Sequence, residues 1–207
     1  MDHKYDSIIF DLDGTLWDAV DGVVAIWNAA LIKSGIEPTM NRDELSRCMG
    51  LLIEQIFDRV IPQTTPEQRI EIQKNIAETE NGQLSKIGGV LYDKLEETLA
   101  LLTKTHRLFI VSNCQDGYIN AFFTAHGLRK YFEDYECAGR TGKPKSDNIR
   151  IIIERCGLDR PVYIGDTVFD LDAAKEANVP FIHAAYGFQE VDCEVHAYSF
   201  DEIPKLV

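Results

Sequence analysis

Two aspartates, Asp11 and Asp13, stand one residue apart in Asp11-Leu12-Asp13-Gly14-Thr15, directly after the apolar run Ser7-Ile8-Ile9-Phe10. The run has the character of a buried strand, so both carboxylates fall where it ends, and residues i and i+2 of extended backbone project to the same side. Gly14 lets the chain turn sharply with no Cβ in the way. Two carboxylates in a tight turn repel each other unless a positive group joins them. A hard divalent cation prefers carboxylate oxygen, and a phosphoryl group held by that cation is a natural guest. Asp11 then offers a nucleophile toward phosphorus, splitting hydrolysis into two displacements through an aspartyl-phosphate. Asp13, on the same side, can protonate the leaving oxygen and then deprotonate the attacking water.

Other segments supply the remaining parts. The apolar run Leu108 to Val111 ends in Ser112 and Asn113, and the run Val162 to Ile164 ends in Gly165-Asp166-Thr167, with Asp170 one helical turn on. Open parallel sheets bind ligands beyond the carboxyl ends of their strands, so these residues converge on one edge. Thr141-Gly142-Lys143-Pro144-Lys145-Ser146 precedes a helical pattern and brings a lysine there. Asp11 and Asp166, with a backbone carbonyl near Asp13, offer oxygen ligands suited to Mg²⁺. The Ser112 hydroxyl, backbone N–H groups near Ser112 and Asn113, and one lysine would hold phosphoryl oxygens. Thr15 joins the substrate-binding set.

Around these residues the pattern predicts a strand, a helical block, then alternating strands and helices. Val23, Ile26, Trp27, Ala30 and Leu31 share one helix face, and Leu45, Cys48, Met49, Leu52, Ile53, Ile56, Phe57 and Val60 repeat the spacing with a break at Gly50. Thr65-Pro66-Glu67 opens a third helix, with Thr65 as N-cap and Ile70, Ile76 and Ala77 facing its neighbours. Beyond Lys86, Leu91, Leu95, Leu99 and Leu102 mark a helix. Further helices carry Ile119, Phe122, Phe123 and His126, then Ile149, Ile152, Ile153 and Cys156, then Phe169 to Ala177. The strands lie at Leu108–Val111, Tyr135–Cys137, Val162–Ile164 and Val179–Ile182. Strands apolar on both faces and alternating with helices imply an α/β doubly wound parallel sheet. Residues 1–17 and 85–207 form its core, with an inserted α-helical bundle at 18–84.

Composition narrows the partners. Lys and Arg total 21 against 34 Asp and Glu, a formal net charge of −13, which argues against a nucleic-acid surface. The opening Met1-Asp2-His3-Lys4-Tyr5 has no leader pattern, no apolar run is long enough to span a membrane, and the five scattered cysteines fit a reducing compartment. The expectation is a cytoplasmic monomer acting on a small phosphorylated metabolite.

Asp11-Leu12-Asp13-Gly14-Thr15-Leu16, Val111-Ser112-Asn113, the lysine loop and Gly165-Asp166-Thr167-Val168-Phe169-Asp170 together resemble the haloacid dehalogenase superfamily, in order and over nearly the whole chain. The helical block resembles the small α-helical cap of its phosphoglycolate phosphatases and β-phosphoglucomutases. That resemblance implies a Mg²⁺-dependent phosphatase with Asp11 as nucleophile, Asp13 as general acid/base, Ser112 as the phosphate-binding hydroxyl, and Asp11, Asp13 and Asp166 at the metal, with Asp170 supporting its water shell. The motif lysine is open between Lys143, which precedes a proline, and Lys145, which opens the next helix and is favoured. A phosphomutase is the alternative within the family, and a phospho-accepting signalling domain or a non-catalytic binding protein the alternative outside it. Receivers lack both the helical insertion and an Asp-x-Asp of this kind.

Other polar residues have plainer readings. Trp17 packs at the domain junction, Cys114 is a packing residue, and His126 and His183 are core or edge histidines without ligand partners. Glu54, Gln55 and Arg59 could face a substrate, with a solvated helix face as the default reading.

Overall fold

Strand β1 (Ser7–Phe10) is buried along its whole length, because its apolar side chains alternate into two cores. Ile8 and Phe10 enter one cluster and Ile9 the other, as the period-2 geometry of a strand requires. The structure, a computed structural model, describes residues 4–207; Met1–His3, on which the leader reading rests, lie outside them. β1 sits between β4 (Arg107–Ser112) and β6 (Pro161–Gly165) in a parallel sheet. Beyond them lie β5 (Asp134–Cys137) on one side and β7 (Phe181–Ala184) and β8 (His196–Ala197) on the other, giving the order β5-β4-β1-β6-β7-β8. Phe10 aligns with Ile110 and Ile164, so the chain leaves the three central strands at one edge.

Helices α5 (Leu95–Leu102), α6 (Tyr118–His126), α8 (Lys145–Cys156) and α9 (Val168–Ala177) cover the sheet, with the one-turn α7 (Ala138–Thr141) after β5. The apolar residues of α5 and α6 join the cluster of Ile8 and Phe10, and those of α8 and α9 join Ile9. This is the doubly wound arrangement expected from the sequence; most strand and helix bounds differ from the expected ones by a residue or two, and α5 starts four residues later than expected. Among the described residues no helix is long and apolar enough to cross a membrane.

Between β1 and β4 stand α1 (Val20–Lys33), α2 (Arg42–Ser46), α3 (Ile53–Val60) and α4 (Pro66–Ile87). Two short strands, β2 (Trp17–Asp18) and β3 (Val90–Leu91), pair antiparallel where the chain leaves and re-enters the core. Leu91 therefore belongs to this ribbon and not to the leucine face of α5. The apolar repeat from Leu45 to Val60 is two helices, divided at Gly50, whose φ of +84° admits no ordinary side chain. α4 begins as expected, with Thr65 Oγ1 accepting from the Gln68 N–H and Gln68 Oε1 from the Thr65 N–H. Its buried face differs from expectation: Ile70 and Ala77 are exposed, and Ile72, Asn75, Ile76, Glu80 and Leu84 turn inward. The polar pair is accommodated because Asn75 donates to Ser34 and Glu80 accepts from Trp27.

Candidate active site

Asp11 follows the last residue of β1, and its backbone N–H donates to Ile164 O at 2.8 Å, extending the sheet by one bond. Its carboxylate is 2% exposed. Lys145 opens α8 behind Pro144, and its ammonium donates to Asp11 Oδ1 at 2.8 Å and to Asp170 Oδ1 at 2.6 Å. Asp170 is fixed by the start of α9, where it accepts from the Thr167 N–H at 3.0 Å and the Thr167 hydroxyl at 2.6 Å, and the Tyr163 hydroxyl lies between Val111 O at 2.9 Å and Asp170 Oδ1 at 3.2 Å. Asp166 accepts from the Phe188 N–H at 2.8 Å. Gly14, at φ +83°, lies so close that a Cβ there would fall 2.2 Å from Asp166 Oδ2.

The other expected residues divide. Ser112 is buried at the end of β4, and its oxygen accepts from the Cys114 N–H at 3.3 Å, which leaves its own proton uncommitted. Asn113 Nδ2 donates to Gly50 O at 2.8 Å and so ties the sheet edge to the helical block. Thr15 is fully buried, and its hydroxyl faces Asp166 at 3.4 Å instead of lining the cavity. Lys143 is exposed and lines the cavity. Lys145, not Lys143, sits among the carboxylates.

Four polar residues escape the sequence pattern. Trp17 Nε1 and the Tyr118 hydroxyl both donate to Asp13 Oδ1, at 2.9 and 3.0 Å. Tyr163 sits inside a strand, where an aromatic needs no special reason. Glu80 lies mid-helix, and its type predicts exposure. Only Trp17, four residues from Asp13, carried a positional hint.

Burial sets the electrostatics. It pushes Asp11 up to about 7, helped by the Asp170 charge and opposed by Lys145. Asp13 is pushed up to about 6 by burial, against the donors Tyr118 and Trp17. Asp166 is raised well above the usual carboxylate range by burial and by the charges of Asp170 and Asp11. Burial works against the Lys145 ammonium, but Asp11 and Asp170 outweigh it and hold its pKa above the ordinary lysine value. The cluster is thus short of positive charge. Carboxylate oxygens of Asp11, Asp166 and Asp170 lie within 4.8 Å of one another, a hard-oxygen donor set that fits Mg²⁺. The Asp13 side chain stands outside that set, and its Oδ1 accepts from Trp17 and Tyr118.

His183 is not without partners. Its Nδ1 lies 3.0 Å from that of His196, and with Cys193 the pair forms a second group able to hold a metal ion. Above Asp11, Asp13, Ser112 and Asn113 opens a cavity of about 430 Å³, walled by α1, α4, α6 and the segment from Leu45 to Ile56. Glu54 lines it as well, so the face carrying Glu54 is not solely a solvated one.

Residues 8–184 match the family described as haloacid dehalogenase-like hydrolase. The probable phosphatase IndB of Dickeya dadantii is 27% identical over 192 residues, 89% of this chain and 83% of that protein. A phosphoglycolate phosphatase of Escherichia coli is 23% identical over 211 residues, with 88% and 82% covered. In fold, the chain superposes on the crystal structure of a predicted phosphoglycolate phosphatase from Haemophilus somnus with a TM-score of 0.87 at 20% identity, covering 99% of this chain and 98% of that one. A haloacid dehalogenase-like family protein from Streptococcus pneumoniae gives 0.84 at 19% identity, with 98% of each covered. With four motifs meeting at one sheet edge and the match running through nearly the whole core, the chain belongs to the haloacid dehalogenase-like hydrolases, and its curated relatives are phosphatases.

Proposed function

We propose that the protein is a Mg²⁺-dependent phosphatase that hydrolyses a small phosphate monoester through an aspartyl-phosphate on Asp11. The observation that carries this reading is the setting of Asp11, a buried carboxylate 2.8 Å from a buried ammonium and opening into a cavity. In the first step an Asp11 oxygen bonds to phosphorus as the bond to the leaving oxygen breaks. Asp13, held near neutrality, gives that oxygen its proton. In the second step Asp13 takes a proton from water, the water oxygen bonds to phosphorus, and Asp11 is released. Lys145 spends two of its three N–H donors on Asp11 and Asp170, leaving one for a phosphoryl oxygen. The Ser112 proton serves another. Bound at Asp11, Asp166 and the Asp13 carbonyl, with Asp170 behind, Mg²⁺ would screen the repulsion between phosphate and carboxylate.

The helical block, expected over 18–84 but carried by α4 on to Ile87, acts in this reading as a cap that excludes bulk water and selects the leaving group. Cysteines that are all free fit a cytoplasmic setting. The test is hydrolysis of p-nitrophenyl phosphate with and without Mg²⁺, for the native chain and Asp11→Asn. Turnover that needs both the metal and Asp11 supports the mechanism; turnover retained by Asp11→Asn would sink it.

A further inference from the structure

The cavity wall contributed by the helical block has an unusual composition for a site that takes charged metabolites. Val23, Trp27, Leu45, Met49 and Ile56 make it apolar, and one polar side chain is buried among them: Glu80, 2% exposed. The Trp27 indole N–H donates to Glu80 Oε1 at 2.5 Å, and Glu80 Oε2 has no hydrogen-bond partner among the described residues. Across the lining, the one cation among the described residues is Lys143, which adjoins Pro144 and Lys145 at the sheet edge and is exposed. No arginine, lysine or histidine of the helical block lines the cavity.

A buried carboxyl surrounded by hydrocarbon costs stability unless its hydrogen bonds are made. One oxygen is satisfied by Trp27; the other is offered to whatever fills the cavity. A carboxyl accepts from an ammonium or hydroxyl with little penalty. A substrate carboxylate placed there would be buried among hydrocarbon with no cation of the helical block to balance it. We infer that the leaving group of the substrate has an apolar body, aromatic or branched aliphatic, that it bears an amino or hydroxyl group for Glu80, and that it carries no carboxylate. This rests on the phosphatase reading and sharpens it: phosphoglycolate, whose far end is a carboxylate, has the wrong charge for this wall.

The experiment is a set of aryl phosphates that share one ring and differ only at the para position: phenyl, 4-(aminomethyl)phenyl, 4-(hydroxymethyl)phenyl and 4-carboxyphenyl phosphate, each assayed with Mg²⁺. The aminomethyl and hydroxymethyl esters should exceed the carboxy ester in kcat/KM by about tenfold or more, as expected where a site's buried polar group is matched or left unmatched. In Glu80→Gln, which keeps the acceptor for Trp27 and cannot ionise beside a bound ammonium, the advantage of the aminomethyl ester should shrink toward that of the hydroxymethyl ester. Phenyl phosphate turnover with equal rates across the para series, or with the carboxy ester ahead, overturns the assignment of Glu80 and leaves the phosphatase reading standing. No turnover of any of the four esters, phenyl phosphate included, overturns both.

Discussion

Trp17 donates its indole N–H to Asp13 Oδ1 at 2.9 Å, so the residue that leads the chain into the helical block also holds the carboxylate proposed as the acid/base. Trp17 is fully buried and meets the Tyr118 ring edge-on at 5.7 Å, and Tyr118 donates to the same oxygen. One carboxylate oxygen of Asp13 is thereby fixed from two sides, and the other is left for substrate or water.

Tyr118→Phe removes one of these donors and little else. The ring remains to pack, so stability should fall by about 1 kcal/mol, the usual net value of a hydrogen bond. Misorienting an acid/base group forfeits part of the roughly 10²–10⁴-fold that such catalysis contributes. We expect kcat to fall about tenfold with KM nearly unchanged. Steady-state kinetics beside thermal unfolding separates the two effects, and an unaltered kcat would show that Trp17 alone suffices.

Lys145→Met tests the charge balance of the acidic cluster. It leaves Asp11 and Asp170 buried without their ammonium, and breaking a buried pair costs about 3–5 kcal/mol. The variant should melt well below the native chain in metal-free buffer and recover more than the native chain does when Mg²⁺ is added. Activity should fall about 10²-fold or more, as when a donor to developing charge is lost. A melting temperature matching that of the native chain would mean the ion pair does not support the fold.

The sheet edge that carries the candidate site was legible in the sequence because its residues stand directly after apolar strands, where a period-2 pattern and a glycine turn mark the boundary. Asp11, Ser112 and Asp166 could be placed that way with no coordinates. The choice between Lys143 and Lys145 was only tilted toward Lys145, since it depends on where α8 begins, which Pro144 sets by serving as its N-cap. The buried face of α4 was misread for a related reason. Ile70 was expected inside on hydrophobicity alone, yet Asn75 and Glu80 hold those positions because Ser34 and Trp27, some 40 to 50 residues earlier in the chain, complete their hydrogen bonds. Pairings of that kind leave no local mark.

The bond from Asn113 Nδ2 to Gly50 O, 2.8 Å long, is a strut between the sheet edge and the helical block. Asn113→Ala should loosen the block over the cavity while leaving both cores intact. The expected result is a KM several-fold higher, a stability change within about 1 kcal/mol, and faster proteolysis between residues 46 and 53. Unchanged KM and cleavage pattern would show that packing around Gly50, close to Thr167 and Phe169, holds the block without the strut.

Glu80 makes stability depend on pH in a direction opposite to most carboxylates. Burial pushes its pKa from 4.5 up to about 8, against the Trp27 hydrogen bond and with a small addition from Asp13. The folded protein therefore binds a proton that the unfolded chain has released above pH 4.5, and stability falls as pH rises between the two values. The loss is complete near pH 8 and amounts to at most ~5 kcal/mol, at ~1.4 kcal/mol per unit. Asp11, Asp13 and Asp166 are raised as well, so the native curve alone would not isolate Glu80. The difference between the native chain and Glu80→Gln does, because glutamine does not titrate. Denaturant unfolding at pH 5, 6.5 and 8 should show Glu80→Gln gaining steadily on the native chain. A constant difference across that range would mean that Glu80 has the same pKa folded and unfolded, and that water reaches it.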